Sequence, residues 1–238
     1  MNYKTIFEQI EENANIKAYE IMPTYSDRRA KRTIKADSID EIIENIEMLV
    51  KNPEEKFIMA YSDNPDGILH KYGTNSKEAY NFIKETENKL KEMCEKLPDD
   101  TIVIISADHG HKNIEKAYSI LDYQDLQECF IMPPALESRC LTFWIKPGMN
   151  EVFEKKFNEK FKEKFWLMTK EEFLNKNMLG FGEKHRKIDD FLGDYIALSI
   201  SNEIIVLETL LAPGKEVKKS THCGLTKEEM EVPVIVIK

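Results

Sequence analysis

The feature that most constrains the fold is an apolar run that ends abruptly in acidic and imidazole side chains. Residues 101–107 read TIVIISA, and Asp108, His109, Gly110 and His111 follow at once. A run that is apolar on both faces is typical of a parallel strand buried in a sheet. Because unpaired charge is costly to bury, the polar residues at its end favour a functional site over core packing.

Elsewhere, short apolar runs alternate with amphipathic stretches, which predicts an α/β fold. The predicted helices are 6–14, 38–49 and 76–97, and the predicted strands are 18–21, 57–61, 101–107, 141–145, 195–199, 203–207 and 232–237. Four phenylalanines, Phe153, Phe157, Phe161 and Phe165, recur every fourth residue and predict a helix with an aromatic stripe on the core. We expect one domain over residues 1–238, with a small lobe at 149–188.

Charge and composition exclude some classes of partner. The formal net charge is −9, which argues against binding a nucleic-acid polymer. No apolar run approaches the ~20 residues of a membrane span, so we expect no membrane partner. The first residues do not read as a signal peptide, and Cys94, Cys129, Cys140 and Cys223 are scattered without paired spacing. These features predict reduced thiols and a cytoplasmic location.

Three segments carry residues suited to binding metal ions. Asp66 and His70 are four residues apart, so both side chains fall on one face if Asp66 begins a helical turn. Asp108 and His109 follow the carboxyl end of a strand, and active sites of α/β proteins lie at such ends. His222 lies in a loop and becomes a candidate metal ligand only together with the other two segments. Two cations roughly 3.5–4 Å apart can stabilise both the attacking and the leaving oxygen of a phosphate ester.

Several residues keep more than one interpretation. Three roles are open for His111: it donates a hydrogen bond to a metal-ligating residue, it contacts the substrate, or it donates to a backbone carbonyl. Cys223, beside His222, is a candidate metal ligand, and His185 is interpreted as structural. The loop 24–36 carries a basic cluster that faces either a phosphate group or solvent: Arg28, Arg29, Lys31, Arg32 and Lys35.

Taken together, segments 61–73, 106–110 and 222–233 resemble the type I phosphodiesterase/nucleotide pyrophosphatase family of the alkaline phosphatase superfamily. The stretches around Arg139 and Asp194 resemble the later part of the same family. The resemblance implies an alkaline-phosphatase-like core, a largely parallel sheet flanked by helices.

The resemblance also implies a ligand set. Asp66, His70 and His222 match the ligands of one metal ion, and Asp108 and His109 match two ligands of a second. The complete family site holds two divalent ions, which we expect to be zinc, so this chain would carry one well-formed site and one incomplete site. The family's Thr or Ser nucleophile comes from an earlier segment, so we expect it upstream of Met1 and expect the N-terminal part of the domain to be missing.

The expected function is metal-dependent hydrolysis of phosphodiester or nucleotide pyrophosphate bonds in a small phosphate ester or nucleotide, with reduced or no activity of this chain alone. One alternative is a non-catalytic metal-binding remnant or subunit. Another is a related phosphomutase or a sulfatase-like enzyme. For a truncated chain we expect either self-association or a complementing N-terminal fragment as partner.

Overall fold

A computed structural model describes residues 4–27, 30–207 and 218–238. The helices in these ranges are α1 (Ile6–Ala14), α2 (Ile39–Val50), α3 (Asp66–Tyr72), α4 (Lys77–Cys94), α5 (Gln124–Gln127), α6 (Asn150–Phe161), α7 (Lys170–Asn175), α8 (Ile188–Phe191) and α9 (Lys227–Met230), with a 3-10 turn at Ile120–Asp122. None of these helices combines the length and the apolar character that crossing a bilayer requires.

The strands in the same ranges are β1 (Lys17–Met22), β2 (Thr33–Lys35), β3 (Lys56–Ala60), β4 (Val103–Ser106), β5 (Lys112–Asn113), β6 (Lys116–Ser119), β7 (Phe130–Glu137), β8 (Cys140–Ile145), β9 (Phe165–Thr169), β10 (Tyr195–Ser199), β11 (Glu203–Val206), β12 (Ser220–Thr221) and β13 (Val234–Ile237). Each strand predicted from an apolar run is present, within a few residues at either end. The short strands β2, β5 and β12 have no comparable apolar run.

The chain divides into two compact units. The first comprises Met1–Ile68, Asn75–Ile105 and Val234–Lys238, and the second comprises Leu69–Thr74 and Ser106–Pro233. The expectation of a single domain with a lobe at 149–188 stays a prediction.

The first unit contains a parallel three-stranded sheet in the order β2-β1-β3. Its central strand buries Ile21 completely, against Ala36 and Ile42 of the following segment and α2. Ser38 caps α2 by accepting a hydrogen bond from the Glu41 N–H, as the predicted helix start requires. The apolar runs and the period-3.6 pattern therefore gave β1, β3 and α2 correctly, whereas β2 was not predicted.

The run 101–107 is shorter and more exposed than predicted. Only Val103–Ser106 forms a strand, and within the described residues β4 pairs with β13 alone. Ile102 and Ile104 are 60% and 66% exposed, so the prediction of a strand buried on both faces is wrong for this structure. Apolar side chains predict a strand but do not by themselves supply the layers that would cover it.

The second unit contains an antiparallel four-stranded sheet in the order β7-β8-β10-β9. It also holds a parallel pair, β6 with β11, and an antiparallel pair, β5 with β12. Parallel pairing is thus found in the first unit's sheet and in one pair here, whereas the largest sheet is antiparallel. The combination of helices and sheets confirms the α/β class.

The core of the second unit is aromatic. Phe153, Phe157 and Phe161 of α6 are buried, and the Phe153 and Phe157 rings lie 5.1 and 5.5 Å from that of Phe143 on β8. The fourth residue of the predicted helical stripe, Phe165, instead begins β9. Its ring meets that of Phe161 at 6.1 Å, so the stripe continues into the core although the helix does not.

Candidate metal centre

His70 lies on α3, one turn after Asp66 at the start of the same helix. Its Nδ1 is 2.8 Å from the carbonyl oxygen of Ser220. Because a carbonyl oxygen only accepts, Nδ1 carries the proton and Nε2 carries the lone pair. The Lys218 Nζ lies 3.2 Å from that Nε2 and donates to it. Asp66 and His70 therefore lie four residues apart on one short helix, as their spacing predicted.

Asp108 and His109 follow β4 directly. The His109 N–H donates to Asp108 Oδ1 over 3.1 Å, and His109 Nε2 lies 3.7 Å from the same oxygen. The His109 Nδ1 is 3.0 Å from the Gly110 carbonyl oxygen and therefore carries the proton. The Asp108 side chain is 64% exposed, so its carboxylate stays open to solvent beside the imidazole.

Gly110 permits the close packing that His109 and His111 need. Its N–H donates to the Glu229 carbonyl over 2.9 Å. A Cβ at this position would lie 1.9 Å from the Glu228 carbonyl oxygen, which no side chain can tolerate. The glycine thus allows two backbones to approach closely.

His111 is buried, with 8% of its surface exposed. Its Nδ1 lies 3.1 Å from Ser220 Oγ, and that hydroxyl donates to the Leu69 carbonyl over 2.6 Å. Since the hydroxyl proton is used by the carbonyl, Ser220 Oγ accepts from His111 Nδ1, and His111 Nε2 carries the lone pair. The partner of this nitrogen is a hydroxyl, and which of the three interpretations of His111 holds stays a prediction.

His222 completes the cluster from the loop after β12. Its Nδ1 is 3.0 Å from the Sγ of Cys223, whose backbone has a positive φ of 80°. The Cys223 thiol, a candidate metal ligand, therefore contacts the His222 imidazole, and Cys223 is exposed.

The second unit brings four of the chain's five histidines together. The rings of His109 and His222 stack with centroids 3.9 Å apart, and His70 lies 4.9 Å from His111 and 5.2 Å from His222. His109, His111 and His222 each offer a nitrogen within 4.8 Å of the others. His185 lies in an exposed stretch outside this cluster, where its Nδ1 accepts from the Lys187 N–H.

A model of the type I phosphodiesterase / nucleotide pyrophosphatase family matches residues 6–194. The chain belongs to this family. The match includes the segments of Asp66, His70 and His109, and the resemblance drawn from the sequence is confirmed. No curated protein sequence matches the chain.

Solved structures share the fold of this phosphodiesterase-family chain. Human ectonucleotide pyrophosphatase / phosphodiesterase 5 aligns with a TM-score of 0.71 and 14% identity over 96% of this chain and 62% of its own, and the murine protein aligns with 0.70 and 14% over 95% and 61%. Phosphonoacetate hydrolase from Sinorhizobium meliloti 1021 aligns with 0.64 and 16% over 98% and 68%. The alkaline-phosphatase-like fold is therefore confirmed, and the chain spans about three fifths of the two mammalian proteins.

The donors in this family member suit the metal ions on which the family depends. Imidazole nitrogens and carboxylate oxygens bind zinc and similar divalent ions. In His70, His109 and His111 an oxygen acceptor holds the Nδ1 proton, so the lone pair lies on Nε2, which in His70 accepts from Lys218. Such an outer hydrogen bond from Nδ1 is usual behind a metal-bound histidine. The assignment of Asp66, His70 and His222 to one ion, and of Asp108 and His109 to another, stays a prediction.

A buried ion pair contacts the segments that carry the clustered histidines in this phosphodiesterase-family chain. Arg139 and Glu229 are 0% and 1% exposed, and Arg139 Nε lies 2.6 Å from one Glu229 oxygen and its Nη2 2.7 Å from the other. Burial would raise the pKa of Glu229, but hydrogen bonds from Arg139, Thr226 and the Gly224 N–H outweigh it and lower that pKa. Glu229 thus organises the turn that follows His222, and the capping-box spacing from Thr226 to Glu229 is the local signal that could have indicated it.

The basic loop of the first unit is engaged in local structure. Arg32 pairs with Glu11, and Lys35 donates to the backbone carbonyls of Ser26 and Pro23. Thr24 Oγ1 donates to the carboxylate of Asp37 at 2.9 Å. Two members of the predicted cluster, Arg28 and Arg29, lie outside the described residues. The contacts of Arg32 and Lys35 favour a structural loop over a phosphate-binding one.

Proposed function

We propose that this chain provides the metal-binding part of a hydrolase of phosphodiester or nucleotide pyrophosphate bonds. The observation that carries the proposal is the histidine cluster, in which hydrogen bonds set the tautomers of His70, His109 and His111. Family membership supplies the class of reaction. The chain spans about three fifths of the length of its mammalian structural neighbours. We therefore propose its activity, substrates and partners and do not transfer them from those proteins.

The ligands expected from the family pattern are Asp66, His70 and His222 for one ion and Asp108 and His109 for the other, and we propose zinc as the metal. When bound, such ions polarise a phosphoryl oxygen and stabilise charge on the attacking and leaving oxygens. The protein's own contribution is to orient the imidazoles before substrate arrives, through Ser220 and Gly110. Lys218 adds positive charge beside His70, where a phosphate group would be stabilised.

The proposed substrate is a small phosphate ester or nucleotide. Murine ectonucleotide pyrophosphatase / phosphodiesterase 5 has been solved in complex with AMP, and the Sinorhizobium phosphonoacetate hydrolase with phosphonoformate. Both ligands carry a phosphorus oxyanion that needs positive charge around it. The net charge of −9 favours such small ligands over a nucleic-acid polymer.

The proposal is tested with the zinc-loaded chain and a sensitive assay on bis(4-nitrophenyl) phosphate and ATP. We expect slow turnover that a chelator abolishes, that His109→Gln removes and that the exposed His185→Gln retains. Absence of zinc binding, or turnover that a chelator leaves intact, would contradict the proposal. Zinc binding without turnover would favour a non-catalytic metal-binding subunit instead.

We also propose a cytoplasmic location, in which the thiols stay reduced. The four cysteines form no disulfide in the described structure. Burial raises the pKa of the Cys140 thiol to about 11, so it stays protonated and unreactive. Titration of thiols in protein isolated from its native cell without reductant should find all four after denaturation. Loss of two or more to disulfides would contradict this location.

A further inference from the structure

The end of α3, which carries His70, is held by the strand pair β5 and β12. In this pair Asn113 lies opposite Ser220. The Asn113 Oδ1 accepts a hydrogen bond from the Thr74 N–H over 2.8 Å, just after the helix. The Lys219 N–H donates to the His70 carbonyl over 2.8 Å. The position of His70 therefore depends on contacts with a distant part of the chain.

Ser220 lies at the centre of these contacts. It is fully buried, and its carbonyl oxygen is 2.8 Å from His70 Nδ1. Its hydroxyl donates to the Leu69 carbonyl over 2.6 Å and accepts from His111 Nδ1 over 3.1 Å. A hydroxyl has one proton and two lone pairs, so a partner that donates to it favours the rotamer that donates to the other. His111 therefore stabilises the hydrogen bond from Ser220 to α3.

The surroundings of His111 restrict its own orientation. Its side chain is buried, and its ring meets the His70 ring edge-on, with centroids 4.9 Å apart. A buried polar group that loses its partner is costly. The pair of His111 and Ser220 therefore favours one arrangement of both side chains and of the helix end that they contact.

We propose that His111 is a positioning residue of the metal centre, which acts through the Ser220 hydroxyl on the end of α3 and so orients His70. This inference rests on the proposed function, leaves the ligand assignment made there unchanged and gives His111 a role outside that ligand set. Groups that hydrogen-bond behind a metal ligand raise metal affinity without touching the ion.

The first test uses the metal-free chain labelled with ¹⁵N, in which long-range ¹H–¹⁵N NMR at alkaline pH reports the protonated nitrogen of each imidazole. We expect Nδ1 in both His70 and His111. Ser220→Ala keeps the carbonyl but should shift the His70 signals toward those of exchanging tautomers. The control is Ser199→Ala, which removes an equally buried hydroxyl that donates to the Glu203 carbonyl, and it should leave them unchanged. A wild-type His111 protonated at Nε2, or unchanged His70 signals in a folded Ser220→Ala, would overturn the proposal.

Zinc affinity, measured by isothermal titration, separates positioning from ligation. His111→Asn keeps an N–H donor as far from the backbone as Nδ1 is but loses the second ring nitrogen, whereas His111→Leu loses both. We expect His111→Asn to bind zinc as wild type does and His111→Leu to bind it about 10-fold more weakly, as is usual for a group behind a metal ligand. Weak binding by both would identify His111 as a ligand, and wild-type binding by both would leave it no role; either result refutes the proposal. If the wild-type chain binds no zinc, the proposed function fails, and the tautomers of the metal-free chain still decide this inference.

Discussion

At the scale of single residues, Glu229 connects two of the three segments that carry the clustered histidines. Its carbonyl accepts from the Gly110 N–H, between His109 and His111. Its carboxylate accepts from the Gly224 N–H, two residues after His222, and from Arg139. Both residues of the ion pair are almost fully buried, so removing either charge leaves the other unpaired in the interior.

We expect Glu229→Gln to lower the free energy of unfolding by about 3–5 kcal/mol, the usual effect of breaking a buried pair. The control is Glu231→Gln, two residues on, whose exposed pair with Lys227 should contribute less than about 1 kcal/mol. Urea denaturation followed by circular dichroism gives both values. Equal effects of the two substitutions would show that burial of the pair is unimportant.

The same carboxylate predicts a pH dependence. The pKa of Glu229 is lowered in the folded protein, so its contribution to stability is complete above its unfolded pKa of about 4.3 and is lost as pH falls through the folded value. Glu229→Gln carries no such charge. The difference in unfolding free energy between wild type and Glu229→Gln should therefore be constant near pH 7 and shrink below about pH 4. A difference that stays constant down to pH 3 would contradict this assignment.

At the scale of elements, Gly110 and α9 lie in contact, and the contact leaves no room for a side chain. Gly110→Ala must move either α9 or the segment that carries His109 and His111. We expect a loss of about 1–3 kcal/mol, as for other overpacked positions, and weaker zinc binding.

The matched control for this prediction is Gly67→Ala within α3. The added Cβ would meet Asn64 at an ordinary 3.7 Å, and alanine is the better helix former by about 0.5–1 kcal/mol. Isothermal titration with zinc and thermal melts should therefore separate the two substitutions. If Gly110→Ala binds zinc as wild type does, the backbone contact does not position the histidines.

At the scale of the whole molecule, the first unit exposes an apolar pair of strands. Ile104 of β4 is 66% exposed, and Val234 and Val236 of β13 are 68% and 62% exposed. Neighbouring apolar side chains on a short, two-stranded sheet are typical of a surface that pairs with another chain. Self-association, or a complementing fragment, stays our prediction for this surface.

We expect size-exclusion chromatography with light scattering to show concentration-dependent self-association that Ile104→Lys reduces. Charge on an edge strand opposes strand pairing. Ile83→Lys on α4 is the control, since it changes an apolar residue that is 52% exposed on a helix rather than on a strand. A monodisperse monomer at all concentrations would refute the prediction.

The sequence by itself determined the elements and the residues that carry chemistry. The periodicity of 6–14 and 38–49 predicted α1 and α2, because local side-chain spacing records which face is buried. The motifs around His70, His109 and His222 indicated the family and its metal chemistry, because ligand types at strand and helix ends are local as well.

Only the tertiary structure decided how these segments meet. Arg139 and Glu229 are 90 residues apart, and His111 and Ser220 are 109 apart, so no pattern along the chain links them. The position of His111 among three other imidazoles, and the exposure of Ile104, follow from contacts made in three dimensions. Local spacing specifies what a residue can do, whereas burial and hydrogen-bond partners come from distant parts of the chain and specify what it does.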